Sequence, residues 1–466
     1  MHAATAVVDG QILLKGLTTA AIASLRSKLG APNPELIKAR MTGQQPDPSI
    51  PRWISFLEEY ANGNVAAPRG AIRIIRKVLS EQRLKLSIES KRSFGSPLKL
   101  KPLKGLRDYQ KEGAHRLLAR GQGMGILPCG GGKTIMALGA LSLINRTALV
   151  VVPTIDLVEQ WAANVQDKLG ITPQIFGTGK HDIGPFTIAT KDALSYHRES
   201  LDLSSFGVLV VDEAHQVPTS IFQSLMHRIP AAWRFGLTAT PERPDGLGKL
   251  VELSFGERLI ERSVPQLIKD GWLVLPEVIG IQTTFEYDLP PLEDRNMKDY
   301  HLMTNKLVID RARNDQIAEL ICQQTEPTLV LSNRKDHCRK LANKVISRGL
   351  NSIEVLTGDN SKKKRKDVLE RMREGGLQIL IATSLADQGL DIRRLTISIF
   401  ALPESSQLRI TQRTGRLMRP FGQKQAKLYD MVDGRVQNLQ NRWNSRQRAY
   451  RSLGIQPRLK EPLFDR

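Results

Sequence analysis

From Leu106 onward the chain repeats one pattern: a short apolar run, then a stretch with helical periodicity. The runs are MGIL (124–127), TALVVV (147–152), FTIAT (186–190), VLVVD (208–212) and FGLTAT (235–240), followed by TLVLSN (328–333), SIEVLTG (352–358), LQILIAT (377–383) and TISIFAL (396–402). A strand with one wet face alternates apolar and polar side chains. A run that is apolar at successive positions must be covered on both faces, which selects parallel sheets layered with helices. The runs fall into two sets, so the expected fold class is α/β, with two parallel-sheet domains in tandem. The first is expected over 105–265 and the second over 266–435. A small basic α/β domain over 1–100 precedes them, and a basic helical tail over 436–466 follows. Within the first hundred residues the pattern predicts a strand-like start (5–14), helices over 18–29 and 71–84, and a Pro/Gln/Gly-rich turn region over 33–51. KRSFGSPLKLKPLKG (91–105) has the composition of a linker.

Charge narrows the partner. Lys and Arg number 68 against 47 Asp and Glu, a net of +21, in a chain whose 41% hydrophobic content is that of a globular protein. Residues 1–100 carry 15 basic against 7 acidic side chains. A polyanion, nucleic acid first, is the expected partner. Cys129, Cys322 and Cys338 are too few and too scattered for a disulfide framework, and no pair has metal-ligand spacing. The opening MHAATAVVDGQILLKG lacks a basic segment followed by a sustained apolar one, and nowhere do 18 apolar residues run together. A cytoplasmic protein without signal peptide or membrane span is expected.

LPCGGGKT (127–134) lies between the strand MGIL and the helical run IMALGALSLI, the context a phosphate-binding loop requires. Gly130, Gly131 and Gly132, preceded by Cys129, let backbone N–H groups wrap phosphate oxygens, and the helix N-terminus adds positive potential. Lys133 is placed to reach the β- and γ-phosphates and Thr134 to ligate magnesium. The full pattern has Gly where this chain has Leu127. VLVVDEAH (208–215) then delivers two carboxylates at the end of a strand. Asp212 is suited to hold the magnesium, and Glu213 to accept a proton from the attacking water. ATP hydrolysis with ATP and Mg2+ is the expected chemistry.

The Gly-Lys-Thr loop with DEAH resembles the superfamily 2 helicases and translocases, over about 105–435. The resemblance implies two RecA-like motor domains. It places His215 in the catalytic set and makes LRDYQ (106–110) the adenine-recognition element through Arg107 and Gln110. VVPTIDLVEQW (151–161) resembles the first DNA-contacting motif, and LTATPERPDG (237–246) the element that couples hydrolysis to movement through Thr238 and Thr240. IATSLADQGLDI (381–392) and QRTGRLMRP (412–420) resemble the fifth and sixth motifs, adding Gly389 and Asp391 to the nucleotide contacts and Gln412, Arg416 and Arg419 to the catalytic set. Those arginines have a rationale of their own, since charge accumulating on the γ-phosphate is stabilised by a positioned guanidinium, worth about 10³–10⁵ in rate.

Backbone contacts to nucleic acid are expected at Thr154, Thr190, Lys191, Thr357, Gly358 and Thr383, all at or just after the ends of apolar runs. Each hydroxyl could equally be a helix cap. The run SKKKRKDVLERMR (361–373) could add unspecific phosphate affinity or be a solvated helix face. Phe421 and Trp443 are aromatics that could stack on a base or pack in the core. LPCGGGKT and GLTATPERPDG are more similar to the XPB translocases and the phage UvsW helicase than to RNA-type enzymes. Near Arg243, itself a candidate DNA contact, Pro244 replaces the Glu of the XPB group. The resemblance thus implies a monomeric DNA helicase that remodels branched DNA in replication, recombination or repair, in a host cytoplasm if the origin is a phage. A double-strand translocase that separates no strands, and an RNA helicase, are the alternatives. No nuclease signature stands out.

Overall fold

The computed structural model describes residues 3–42, 45–179, 182–216, 219–240, 245–290, 297–383 and 392–462. They form two compact units, Met1–Pro128 with Gly132–Arg262, and Ser263–Arg466 with Cys129–Gly131.

The first unit begins with β1 (Ala3–Val8), β2 (Ile12–Lys15), β3 (Gly30–Pro32), β4 (Trp53–Ser55), β5 (Glu58–Glu59), β6 (Val65–Ala67) and β7 (Lys85–Ser90). Five of these make a sheet in the order β5-β6-β2-β1-β7, while β3 and β4 pair separately. The strand-like start is therefore a hairpin, with β1 and β2 antiparallel about Asp9–Gln11. Helix Ile72–Glu81 buries Ile75, Val78 and Leu79 and leads to β7, which returns parallel to β1. Helix Thr19–Lys28 is capped by Thr18, whose hydroxyl accepts from Ala21 N at 3.2 Å. The stretch over 33–51, expected as turns, contains helix Pro34–Thr42. Pro34 at its first position needs no N–H partner, so the proline that suggested a turn begins a helix instead.

The segment 91–105 is not a free linker. Ser93 bridges Ala231, Pro97 bridges Arg146, Thr147 N donates to Ser96 O at 2.9 Å, and Lys101 N donates to Leu169 O at 2.9 Å. Gly95, at φ +61°, is needed there because a Cβ would meet Gly207 N at 2.5 Å. The composition was that of a linker because backbone groups, not side chains, make the attachment.

A seven-stranded sheet follows, of β8 (Gln122–Ile126), β9 (Ala148–Val152), β10 (Gln174–Phe176), β11 (Phe186–Thr190), β12 (Val208–Val211), β13 (Trp233–Thr238) and β14 (Arg258–Glu261). Its order is β10-β11-β9-β12-β13-β8-β14, every pair parallel. The second unit carries β15 (Glu277–Gln282), β16 (Thr328–Leu331), β17 (Ile353–Leu356), β18 (Ile379–Ala382), β19 (Ile397–Phe400), β20 (Lys427–Val432) and β21 (Arg458–Lys460), in the order β17-β18-β16-β19-β20-β15-β21 and again all parallel. Numbered from its own first strand, each sheet has the same order, 3-4-2-5-6-1-7. The α/β class with two parallel-sheet RecA-like domains and a mixed amino-terminal sheet holds.

At the carboxyl ends of the first and sixth strands of the second sheet, Thr283 and Arg313 converge on Asp433. Arg313 Nε reaches Asp433 Oδ1 at 2.6 Å and Thr283 Oγ1 donates to the same oxygen at 2.6 Å, all three buried. The basic tail is helix Gln437–Ser452 followed by β21 on the sheet edge. Trp443 is 1% exposed, with the Arg446 guanidinium 5.4 Å from its ring, so it packs in the core. Phe421 is exposed. No helix among the described residues is long and apolar enough to cross a membrane.

Candidate functional site

The loop after β8 makes a tight concave turn, with Gly130 at φ +81° and Gly132 at φ +77°. A Cβ on Gly132 would lie 2.2 Å from Gln110 Nε2, so the third glycine is required by its neighbour as well as by its backbone. Leu127 is fully buried and its N–H donates to Thr238 O at 3.1 Å. It continues the β8–β13 pairing, which accounts for a core residue where the full loop pattern has glycine. Helix Lys133–Ile144 starts directly after Gly132. Lys133 Nζ donates to Leu127 O at 3.3 Å and lies 4.0 Å from Glu213 Oε1. Thr134 is partly exposed on the first turn, and Cys129 is a free, partly exposed thiol.

The DEAH residues follow β12. Glu213 adopts φ +50°, an uncommon conformation for a residue with a Cβ, at the position that carries the acidic pair. Its N–H donates to Asp212 Oδ1 at 2.9 Å, and Trp161 Nε1 donates to Asp212 Oδ2, also at 2.9 Å. Burial, then the charge of Glu213, pushes Asp212 above the usual carboxylate range, against the opposing pull of Lys133 and the Trp161 hydrogen bond. His215 Nδ1 is 3.1 Å from Thr238 Oγ1 and 3.3 Å from Glu213 Oε2. Thr238 Oγ1 donates to Thr240 O at 3.0 Å and accepts from Thr240 N at 3.2 Å. A continuous chain thus links the acidic pair, His215, Thr238 and Thr240.

Lys133, Thr134, Asp212 and the glycine turn fit a magnesium nucleoside triphosphate. The turn is a cradle a Cβ would fill, and the donor set is hard oxygen. Among the described residues no three His, Cys, Asp or Glu gather as a metal cage. Magnesium is bound through one or two protein oxygens plus phosphates, and Thr134 and Asp212 offer such oxygens. Gln110 is buried, accepting from Arg107 N at 3.0 Å and donating to Gly132 O at 3.4 Å. It braces the phosphate loop while beginning helix Asp108–Arg120. Arg107 Nη1 donates to Tyr109 Oη at 2.8 Å.

In the second unit, helix Gln407–Leu417 carries Gln412 and Arg416, and Arg419 follows its end. Positions 412 and 416, one turn apart, share a partly exposed helix face and 419 is partly exposed beyond the helix end, while Arg413 turns inward to Glu404 Oε2 at 3.2 Å. Lys424 Nζ donates to Arg419 O at 3.0 Å, and burial, then Arg419, lowers its pKa to about 8. Neither Arg413 nor Lys424 was distinguishable in the sequence from neighbouring surface cations.

The threonines expected to touch nucleic acid separate into two kinds. Thr190 caps helix Lys191–Tyr196, accepting from Ala193 N at 3.3 Å. Thr357 is engaged with Asn360 in a turn, and Gly358 follows it, exposed. By contrast the hydroxyls of Thr154, after β9, and Thr383, after β18, are buried without a hydrogen-bond partner among the described residues. An orphaned buried hydroxyl is unfavourable unless something completes it. Lys191, Pro153, Asp212 and Glu213 border one small gap of about 10 Å³, joining the loops after β9 and β11 to the acidic pair. The basic run forms helix Lys362–Glu374, in which Lys364 and Arg371 pair with Glu354. Arg243, Gly389 and Asp391 lie outside the described residues.

Residues 103–243 match the family described as "Type III restriction enzyme, res subunit", and 312–420 the "Helicase conserved C-terminal domain", together more than half of the chain. The "DNA 3'-5' translocase XPB2" of Sulfurisphaera tokodaii is 27% identical over 82% of this chain and 92% of its own. Against four further XPB or Rad25 relatives the chain spans 51 to 59% of their length. Among solved structures, "S. cerevisiae Dbp5 bound to RNA and ADP BeF3" covers 77% of this chain and 94% of its own at 16% identity, with a TM-score of 0.54. "The crystal structure of T4 UvsW" covers 98% of this chain and 99% of its own at 17% identity, with a TM-score of 0.41.

The matched domains and the XPB relatives define an ATP-dependent enzyme of the helicase class. With these two domains the chain is an ATP-dependent DNA helicase or translocase, similar to the XPB relatives.

Proposed function

We propose that this chain is a magnesium-dependent DNA helicase that moves 3' to 5' and remodels branched DNA, as in fork reversal or branch migration. Polarity is carried over from the naming of the XPB relatives. The observation that carries a branched substrate is the fixed attachment of the basic amino-terminal sheet to the first motor sheet. Its helix Ile72–Glu81 and the turn beyond expose Arg76, Lys77 and Arg83. A motor on one duplex arm and a rigid basic brace on another gain contacts at a junction that plain duplex does not offer.

The chemistry follows from the residues. Lys133 and the N–H groups of the glycine turn would bind the triphosphate, and Thr134 and Asp212 would hold magnesium, which when bound would neutralise phosphate charge. Glu213 orients the attacking water and takes its proton. Arg416 and Arg419 supply positive charge to the transferred phosphate, with Gln412 one turn before Arg416 on the same helix. Thr154 and Thr383 donate their hydroxyls to DNA backbone phosphates, joined by Lys191, Thr357 and Gly358. Thr238 and Thr240 couple turnover to movement. The working species is a monomer.

The experiment is ATPase and strand displacement measured on single strand, blunt duplex, fork and four-way junction, for the intact chain and for R76E/K77E/R83E. Junction displacement falling at least fivefold in the variant, with single-strand-stimulated ATPase retained, supports the brace. Equal displacement of junctions by both proteins refutes it. Translocation of blunt duplex without any displacement favours the plain translocase.

A further inference from the structure

The helix that begins at Thr154, Ile155–Leu169, does more than present a hydroxyl. Its inward stripe is Val158, Trp161, Val165 and Leu169, and Trp161, two turns from the start, is 1% exposed. Three of the four are aliphatic. The fourth carries a single N–H donor, and that donor goes to Asp212 Oδ2. Asp212 is itself buried, and its other oxygen is taken by the Glu213 N–H. The two hydrogen bonds fix the plane and rotation of the carboxylate.

Resting on the reading of Thr154 as a DNA contact and Asp212 as a magnesium holder, we infer that Trp161 is a positioning residue that transmits DNA engagement at the head of this helix to the metal-holding carboxylate. A helix is stiff along its axis, so a shift imposed at Thr154 reaches Trp161, about 10 Å away, with little loss. An indole has two side-chain torsions and is packed on every side here, so it cannot absorb that shift by changing rotamer. The hydrogen bond passes it to Asp212 Oδ2. Restraint of the carboxylate and grip on DNA are then one linked equilibrium, and linkage is reciprocal. DNA tightens the metal–nucleotide site, and the metal–nucleotide tightens DNA. A structural tryptophan that merely needed an acceptor would give neither effect.

The test is W161F, which keeps an aromatic ring in the space and removes the donor. Three readouts are compared with wild type: the Mg2+ concentration that half-saturates binding of a fluorescent ADP, the tightening of single-stranded DNA binding by Mg2+ with a non-hydrolysable ATP analogue, and the ratio of DNA-stimulated to DNA-free ATPase. The Mg2+ midpoint should rise about fivefold, the tightening should fall to within twofold of none, and the ratio should drop about tenfold, with excess Mg2+ restoring part of the turnover. W161H, which keeps a ring N–H, serves where W161F unfolds. Partial recovery of the tightening in W161H supports the inference, and a loss equal to that of a misfolded core overturns it. Unchanged Mg2+ midpoint and tightening in folded W161F also overturn it. A wild type without DNA-stimulated ATPase would instead sink the functional reading itself.

Discussion

Arg69 and Gln122 hold each other twice: Arg69 Nε donates to Gln122 Oε1 at 3.0 Å, and Gln122 Nε2 donates back to Arg69 O at 3.3 Å. Gln122 opens β8, the strand that feeds the phosphate loop, whereas Arg69 belongs to the amino-terminal sheet domain. The same guanidinium also donates to Asp9 O, Ala231 O and Ala232 O. Burial, then the nearby charge of Arg234, holds it well below the usual arginine range, yet four carbonyl-type acceptors surround it. A buried cation bonded wholly to neutral oxygens is costly to disturb.

R69A is therefore expected to loosen the amino-terminal domain from the motor, at a cost of about 2–4 kcal/mol. Urea unfolding should show an early transition absent from wild type, and limited proteolysis should open cleavage within 91–105. R69K should not restore wild-type behaviour, because an ammonium lacks the forked donors.

K133A is expected to abolish turnover and weaken nucleotide binding at least tenfold. E213Q should bind nucleotide normally and hydrolyse about 10³-fold more slowly, since the residue acts on the water and not on the ground-state phosphate. R419A should lose turnover with nucleotide affinity nearly intact. Equilibrium nucleotide titration beside single-turnover hydrolysis separates these outcomes.

The two kinds of threonine separate by stability. T190V removes a helix cap and should cost about 1 kcal/mol in thermal unfolding. T154V and T383V remove hydroxyls with no partner among the described residues, so stability should hold while DNA affinity falls about three- to tenfold. A stability loss in T154V equal to that in T190V would contradict its assignment to DNA.

Acid should destabilise the second unit through His337. Its Nδ1 is 2.9 Å from Ser332 Oγ and its Nε2 is 2.9 Å from Asn314 Oδ1. Burial, then Arg313 and Lys340, lowers its pKa from 6.5 to about 3. The unfolded chain takes up this proton first, so the contribution of neutral His337 is complete above pH 6.5 and is lost as pH falls towards 3. Chemical denaturation across that window should show declining stability, with a shallower decline in H337Q.

Much of this was legible because the chemistry is local. VLVV is apolar at every position and FTIAT at three of five, and the strands β12 and β11 fall where those runs lie. β20, KLYDMV, was missed because Asp430 interrupts it. That carboxylate is buried against Arg446 Nε and Tyr450 Oη, each at 2.7 Å, and both partners lie on a later helix. β10 and β14 were missed as short edge strands, the latter with a charge at each end. The loop glycines, Lys133, Asp212 and Glu213 could be singled out as candidates because each lies in a short contiguous string. Trp161 was not, since its value lies in a contact 51 residues distant.

The strand order shared by the two units makes the carboxyl end of the first strand a matched location in both. After β8 the chain opens into a glycine turn, but after β15 the corresponding ground is plugged by Thr283, Arg313 and Asp433. The pair behaves like twin workshops with one hearth bricked up. Each molecule should accordingly carry a single triphosphate, and its stroke is a one-cylinder cycle with no alternation between halves.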